Sequence, residues 1–301
     1  GWAAATNWFV KKRGIALGIL SGAIGAGGML IYLVNWLIGT YGWRTTLVII
    51  GIGFWVIGIP SALVVRHSPE PYGLSPDGDR PSEPFSADME KLGSTPKQQL
   101  EGLTVFEAMK TKIFWIIALM VSISSAGVHA VIVHVMPHFI SLHLSRDRAS
   151  LAASFLVVVS VIGRFGLGWL GNRFDQRRLM AFALALQGLG LFLLAGAETF
   201  WQAFLFIITF GPGYGGVITL RLTMLADYFG RKAFGAIQGL ILAITVIGSM
   251  ASPVLTGMVF DAYGSYRLAW IVLGGLILAS VPLAFIIRSP RETNPPSSSL
   301  A

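Results

Sequence analysis

Arg164 places a guanidinium where water is scarce. It stands inside the apolar run Ala149 to Gly171, eight residues before Asn172, which at a helical rise of about 1.5 Å per residue puts it about 12 Å from the polar junction. A bare arginine at the centre of a bilayer costs at least about 2.5 kcal/mol on insertion scales, so it needs an aqueous cavity or a partner. The chemistry on offer is bidentate pairing with a carboxylate and attraction of anions by charge. The competing reading is packing, with the guanidinium on carbonyls of a neighbouring helix. Three further polar residues bear on the same path. His129, deep in the run Ile113 to Pro137, would relay a proton or donate to a carboxylate, or else bond the preceding turn as a neutral ring. Tyr214 would direct its hydroxyl toward a cavity. Arg221, six residues before Asp227 and hence about 9 Å from the run's polar end, would join a gate with Asp227 or Asp175, or snorkel to the surface. His134 and His138, one turn apart beside Pro137, read as interfacial residues rather than a metal pair, since neither has a carboxylate within a turn.

The elements that must hold these residues are membrane spans. Hydrophobic residues make up 54% of the chain and charged ones only 12%, against roughly 25% charged in soluble domains. Eight continuous apolar runs are long enough to cross as helices: 14–38, 45–65, 113–137, 149–171, 179–197, 200–226, 233–259 and 268–287. Closed barrels need short alternating strands, so the fold class is an all-α polytopic membrane protein. The chain has no cysteine, which removes disulfides, thiolate metal sites and cysteine nucleophiles. No paired carboxylates or metal-binding pattern sits within or beside the runs, so the reading is not an enzyme, without cofactor or metal. The net charge of +8 is spread between apolar runs rather than along one amphipathic face, which points to membrane orientation and not to nucleic acid. Lysine and arginine number 16 in one set of alternate loops and 4 in the other. By the positive-inside rule the first set and both termini are cytoplasmic.

Between the second and third runs lies a different kind of sequence. Residues 66–112 begin rich in proline, serine, glycine and aspartate and read as a mobile linker. Helix resumes at Thr104, where Thr104 and Glu107 have capping-box spacing. An internal repeat accounts for two runs before the linker and six after it. Asn7-Trp8-Phe9-Val10-Lys11-Lys12-Arg13 resembles Asp227-Tyr228-Phe229-Gly230-Arg231-Lys232, and Tyr41-Gly42-Trp43-Arg44 resembles Tyr263-Gly264-Ser265-Tyr266-Arg267 at nearly the same offset. Full repeats would place four more helices before Gly1, six plus six in all. The organisation is then 1–65, the last two helices of a first half; 66–112, the linker with a short amphipathic helix; 113–288, a complete second half; and 289–301, a disordered tail.

Glycine supplies the mechanical expectations. Gly14, Gly18, Gly22 and Gly25 place small residues on one helix face for close approach. Gly211-Pro212-Gly213-Tyr214-Gly215-Gly216 invites a mid-span break, and Gly248 to Gly257 around Pro253 a second bend.

Gly168-Trp169-Leu170-Gly171-Asn172-Arg173 followed by Asp175 and Arg177-Arg178, with basic-Gly motifs before the spans at Gly14 and Ala233, resembles the major facilitator superfamily. Trp8-Phe9-Val10-Lys11-Lys12-Arg13-Gly14, Ser68-Pro69-Glu70-Pro71-Tyr72-Gly73-Leu74-Ser75-Pro76-Asp77-Gly78 and Ala226-Asp227-Tyr228-Phe229-Gly230-Arg231-Lys232 are most similar to its monocarboxylate and oxalate/formate branch. The resemblance implies a secondary transporter of the plasma or inner membrane, a monomeric carrier moving a small organic anion by proton symport or anion exchange. In it Arg164, His129, Tyr214 and Ser160 line the path. Gly168, Asn172, Arg173, Asp175, Arg177, Arg178, Arg221, Asp227 and Arg231 form the gating framework. Two departures stand out. Asn172 replaces the usual aspartate of the loop motif, and Ser160 stands where that branch carries an aspartate one turn before the arginine. The other readings of the same fold are a drug or neutral-metabolite exporter, and a non-transporting sensor.

Overall fold

A computed structural model describes residues 2–26, 30–66, 68–69, 72, 74, 76–78, 102–142, 145–171 and 173–287. Asn172, most of the linker and the tail from residue 288 lie outside the described residues. The order is α1 (Trp2–Trp8), α2 (Arg13–Ala26), α3 (Leu30–Val64), a 3-10 turn (Pro76–Gly78), α4 (Val105–Met109), α5 (Lys112–Ser141), α6 (Arg146–Leu170), α7 (Gln176–Ala195), α8 (Phe200–Phe229), α9 (Phe234–Tyr263), α10 (Arg267–Ser280) and α11 (Leu283–Ile286). Among the described residues seven helices are long and apolar enough to cross a membrane, and α2 is a shorter apolar helix. The first expected run, 14–38, is represented by α2 and the start of α3, with 27–29 outside the described residues. The second begins past Gly42, whose φ of 75° interrupts α3.

That glycine has a counterpart. Gly264 caps α9 at φ 66°, so the loops that match in sequence both turn through a positive-φ glycine, a conformation that costs other residues about 1 kcal/mol.

Local chemistry sets the helix ends. Thr104 and Glu107 form the reciprocal capping box at α4. Thr111, Ser145 and Asp175 accept the backbone N–H groups that start α5, α6 and α7, and Thr199 with Gln202 makes a second box at α8. Each cap satisfies donors that hydrocarbon cannot.

The core lies where α8 packs between α6 and α7, with α2 against α6, α5 against α9 and α7 against α10. Phe114, Phe139, Phe206, Phe210, Phe229, Phe234 and Trp270 are its largest fully buried side chains. By contrast α3 presents Phe54 and Trp55 at 73% exposure each.

One expectation needs correction. The run Gly211 to Gly216 does not break α8, which is continuous from Phe200 to Phe229 through Pro212. The glycines instead let neighbouring backbones touch. A Cβ on Gly215 would sit 1.8 Å from the Ser160 carbonyl oxygen, one on Gly213 2.5 Å from that of Ala183, and one on Gly163 2.2 Å from that of Pro212. α9 likewise runs unbroken through Pro253. Close packing on both sides holds the helix where local propensity favours a break. In the same way Gly18 and Gly22 meet the Arg164 carbonyl and the Phe165 ring, and Gly168 meets the Gly14 carbonyl, which seats α2 on α6 as the glycine spacing implies.

Candidate functional site

The glycine contact between α6 and α8 positions the central residues. With Gly215 flush against Ser160, the side chains on either flank, Arg164 of α6 and Tyr214 of α8, converge. Arg164 is 3% exposed. Its Nη2 donates to the Tyr214 hydroxyl at 3.3 Å, and the guanidinium carbon lies 5.5 Å from the Tyr214 ring centroid. Its Nη1 donates to the Ser21 carbonyl of α2, a short contact. Among the described residues the Nε has no partner and no carboxylate pairs with Arg164. Ser21 in turn shares a hydrogen bond with the Thr219 hydroxyl of α8 at 2.9 Å. The guanidinium therefore bridges three helices and keeps one donor and its full charge uncommitted.

Of the other expected path residues, Ser160 is fully buried one turn away, its hydroxyl donating to the Val157 carbonyl of its own helix at 2.7 Å. His129 is not brought into this cluster. It is exposed on α5 with Nδ1 2.8 Å from the Ser125 carbonyl one turn back, the locally bonded arrangement. His134 and His138 each meet a carbonyl of a neighbouring helix, Pro253 at 2.9 Å and Leu194 at 3.3 Å. They are built into the packing of α5 against α9 and α7.

A second polar layer ties together the end of the bundle that carries the basic loops. Arg13, at the start of α2, forms an ion pair with Asp227 at the end of α8. The other Asp227 oxygen accepts from Gln176 Nε2 at 2.6 Å. Arg231 reaches back to Asn7, donating through Nη2 to its carbonyl at 2.7 Å and through Nε to its side-chain oxygen at 3.3 Å. The two repeat copies thus clamp one another. Arg221 does not join them, because Asp227 is engaged by Arg13 and Gln176. In the loop motif Arg177 grips Asp175, Nη2 to Oδ2 at 2.7 Å, and donates to the Ile287 carbonyl at 2.9 Å. That hydrogen bonding, from the Arg177 side chain first, holds the Asp175 carboxyl below its ordinary value. Arg173 stacks over Trp169 at 4.3 Å from the ring centroid, and Arg178 is exposed.

The linker also takes part. Asp77, at φ 61° in the turn Pro76–Gly78, accepts the backbone N–H groups of Val10 at 2.9 Å, Lys11 at 2.7 Å and Lys12 at 3.4 Å. Partial burial opposes ionisation, but these three donors and the Lys11 charge outweigh it and lower the carboxyl's pKa. This part of the expected mobile linker is tied to the segment that delivers Arg13.

Sequence reasoning missed Asp77, Arg13, Ser21 with Thr219, and a fully buried pair between α5 and α7 in which Ser124 donates to Gln187 Oε1 at 2.7 Å. Gln187 was the one that could have been found, as the only amide in the apolar run 179–197. Serine and threonine hydroxyls that return to their own turn leave no comparable trace.

The fold and these two layers define an integral membrane protein of seven long helices among the described residues, with a buried cation at its centre and a clamp at one end. Residues 114–300 match the Major Facilitator Superfamily, and the chain belongs to that family. Within it the resemblance is to monocarboxylate transporters. The chain is 25% identical over 313 residues to mouse Monocarboxylate transporter 12, covering 96% of this chain and 63% of the relative. With human Monocarboxylate transporter 7 it shares 29% identity over 201 residues, covering 65% of this chain and 38% of the relative. The MFS transporter asaE of Aspergillus flavus is 26% identical, with 95% of this chain and 60% of that protein covered. The chain therefore spans under two thirds of the length of these relatives. Among solved structures it is similar to the E. coli fucose:proton symporter FucP at a TM-score of 0.60 and 15% identity, covering 95% of this chain and 73% of the symporter.

Proposed function

We propose that the protein is a secondary active transporter that moves a small organic anion, a monocarboxylate, across the membrane by alternating access, through proton symport or anion exchange. The observation that carries this is Arg164, a buried cation with one free donor, a tyrosine hydroxyl beside it and no carboxylate partner among the described residues. A carboxylate arriving there supplies the missing counter-charge and a strong charge-assisted hydrogen bond. The names of similar proteins agree, since Monocarboxylate transporters 12 and 7 are among them. The clamp Arg13–Asp227 and Arg231–Asn7 then serves as the gate at the basic end, which the lysine and arginine distribution assigns to the cytoplasm. Ser160 in place of an aspartate leaves Arg164 without an internal competitor, which favours anion binding over a permanent ion pair.

The test is uptake of radiolabelled lactate by the full-length protein in liposomes. Arg164→Ala should lower the initial rate at least about tenfold, the value of one charged contact. Uptake equal to wild type refutes the assignment.

A further inference from the structure

Arg221 is the second buried arginine of the spans, and nothing described above uses it. Two roles are available to an arginine near a span's end: an ion pair in the gate, or snorkelling to the surface. The structure supports neither. Asp227, the carboxylate on its own helix, is engaged by Arg13 and Gln176. At 9% exposure the residue has little contact with solvent. Among the described residues its buried Nε has no partner. The whole turn around it, from Thr219 to Ala226, is buried. Removing a charge from water without compensation is among the most costly things a fold can do, and no Asp or Glu stands between Phe200 and Ala226 to provide it.

Its position on α8 indicates what does. Arg221 follows Tyr214 by seven residues, two turns along the same helix face and about 10 Å nearer the basic end. Tyr214 is the residue whose hydroxyl meets Arg164. We propose that Arg221 is a second anion station. It takes a small carboxylate between the Arg164 site and the basic end, so that the anion moves along one face of α8 from one guanidinium to the other. The inference rests on the anion reading of Arg164 and adds a residue and a direction to it. An anion leaving Arg164 toward that end would otherwise cross an apolar layer bare, and Arg221 replaces that barrier with a charge-assisted contact.

The experiment uses the full-length protein in vesicles of both orientations, with radiolabelled lactate as probe and a thermal melt of each purified variant. Arg221→Gln should raise the half-saturating lactate concentration about tenfold when lactate is presented at the basic-end face. The value at the opposite face should stay within about twofold, and Arg221→Lys should recover most of the loss. Equal half-saturation at both faces, or an equal rise at both, overturns the proposal. So does a lowered melting temperature in both Arg221 variants with no sided effect, since that marks a packing role or an ion pair within the protein. Arg164→Gln run in parallel separates the two readings. If it transports like wild type while Arg221→Gln shows the sided loss, the Arg164 assignment fails and with it the passage between the two guanidiniums, and only the anion contact at Arg221 stands.

Discussion

Adding one carbon at position 215 tests whether the glycine contact or a backbone hinge explains the composition of α8. In Gly215→Ala the new Cβ falls 1.8 Å from the Ser160 carbonyl oxygen, where a comfortable contact needs roughly 3.2 Å or more. The obstacle is backbone, so no rotamer relieves it, and α6 and α8 must separate by about 1.4 Å. That movement carries the Arg164–Tyr214 hydrogen bond, already 3.3 Å, beyond hydrogen-bonding range. Overpacking of this kind costs about 1–3 kcal/mol. Gly239→Ala is the matched control, because a Cβ there meets nothing within 4 Å. Replacing a mid-helix glycine by alanine stabilises by about 0.5–1 kcal/mol when space is free. The assay is unfolding of the two variants in detergent, followed by lactate uptake. The expected order is Gly239→Ala at or above wild type, and Gly215→Ala below it with reduced uptake. If Gly215→Ala is as stable as Gly239→Ala, position 215 is not a packing contact and the account of α8 is wrong.

Asp227→Asn should loosen the clamp, because it leaves the Arg13 side chain, only 10% exposed, without its counter-charge. A reporter cysteine, Thr219→Cys, in a chain with no cysteine should then react severalfold faster with maleimide from the basic end, and an unchanged rate would remove Asp227 from the gate. Asp77→Asn should destabilise modestly at neutral pH, by under about 1 kcal/mol once solvent screening is counted. The sign follows from the lowered folded-state pKa. The contribution is complete above the unfolded carboxyl's value of about 3.9 and is lost as pH falls through the folded one. Melting curves of wild type and Asp77→Asn should therefore converge in acid, and a gap that does not narrow as pH falls below about 3.9 would refute the charge-assisted cap.

The spans were legible because hydrocarbon imposes a single demand, a long apolar run with its backbone bonds satisfied internally, and length plus composition reveal it. Arg164 was legible for the converse reason, since a charge in such a run is too costly to be incidental. What escaped depends on which helix faces which. Nothing local to Gly211–Gly216 tells a break from a contact surface, as both use small residues. The pairing of Ser124 with Gln187 joins positions 63 apart, and that of Asp77 with Val10 positions 67 apart. For His129, too, depth along a run was readable, but not the face its ring would occupy.

The crossed contacts at the basic end have a consequence beyond tying α2 to α8. In each repeat copy the residue at the head of the motif, Asn7 or Asp227, accepts from an arginine of the other copy, Arg231 or Arg13. The two donors are not equivalent positions, since at an offset of 220 Arg231 matches Lys11 and Arg13 matches Ala233, so the seam lacks the symmetry of an isologous dimer interface, in which one patch meets its own equivalent and every favourable change counts twice. The acceptors differ as well: one is a charged carboxylate, the other a neutral amide. The seam therefore has a strong arm and a weak arm. A single-chain protein can tune each separately, setting how firmly one side of the molecule is latched without touching the other, a freedom denied to any assembly of two identical subunits.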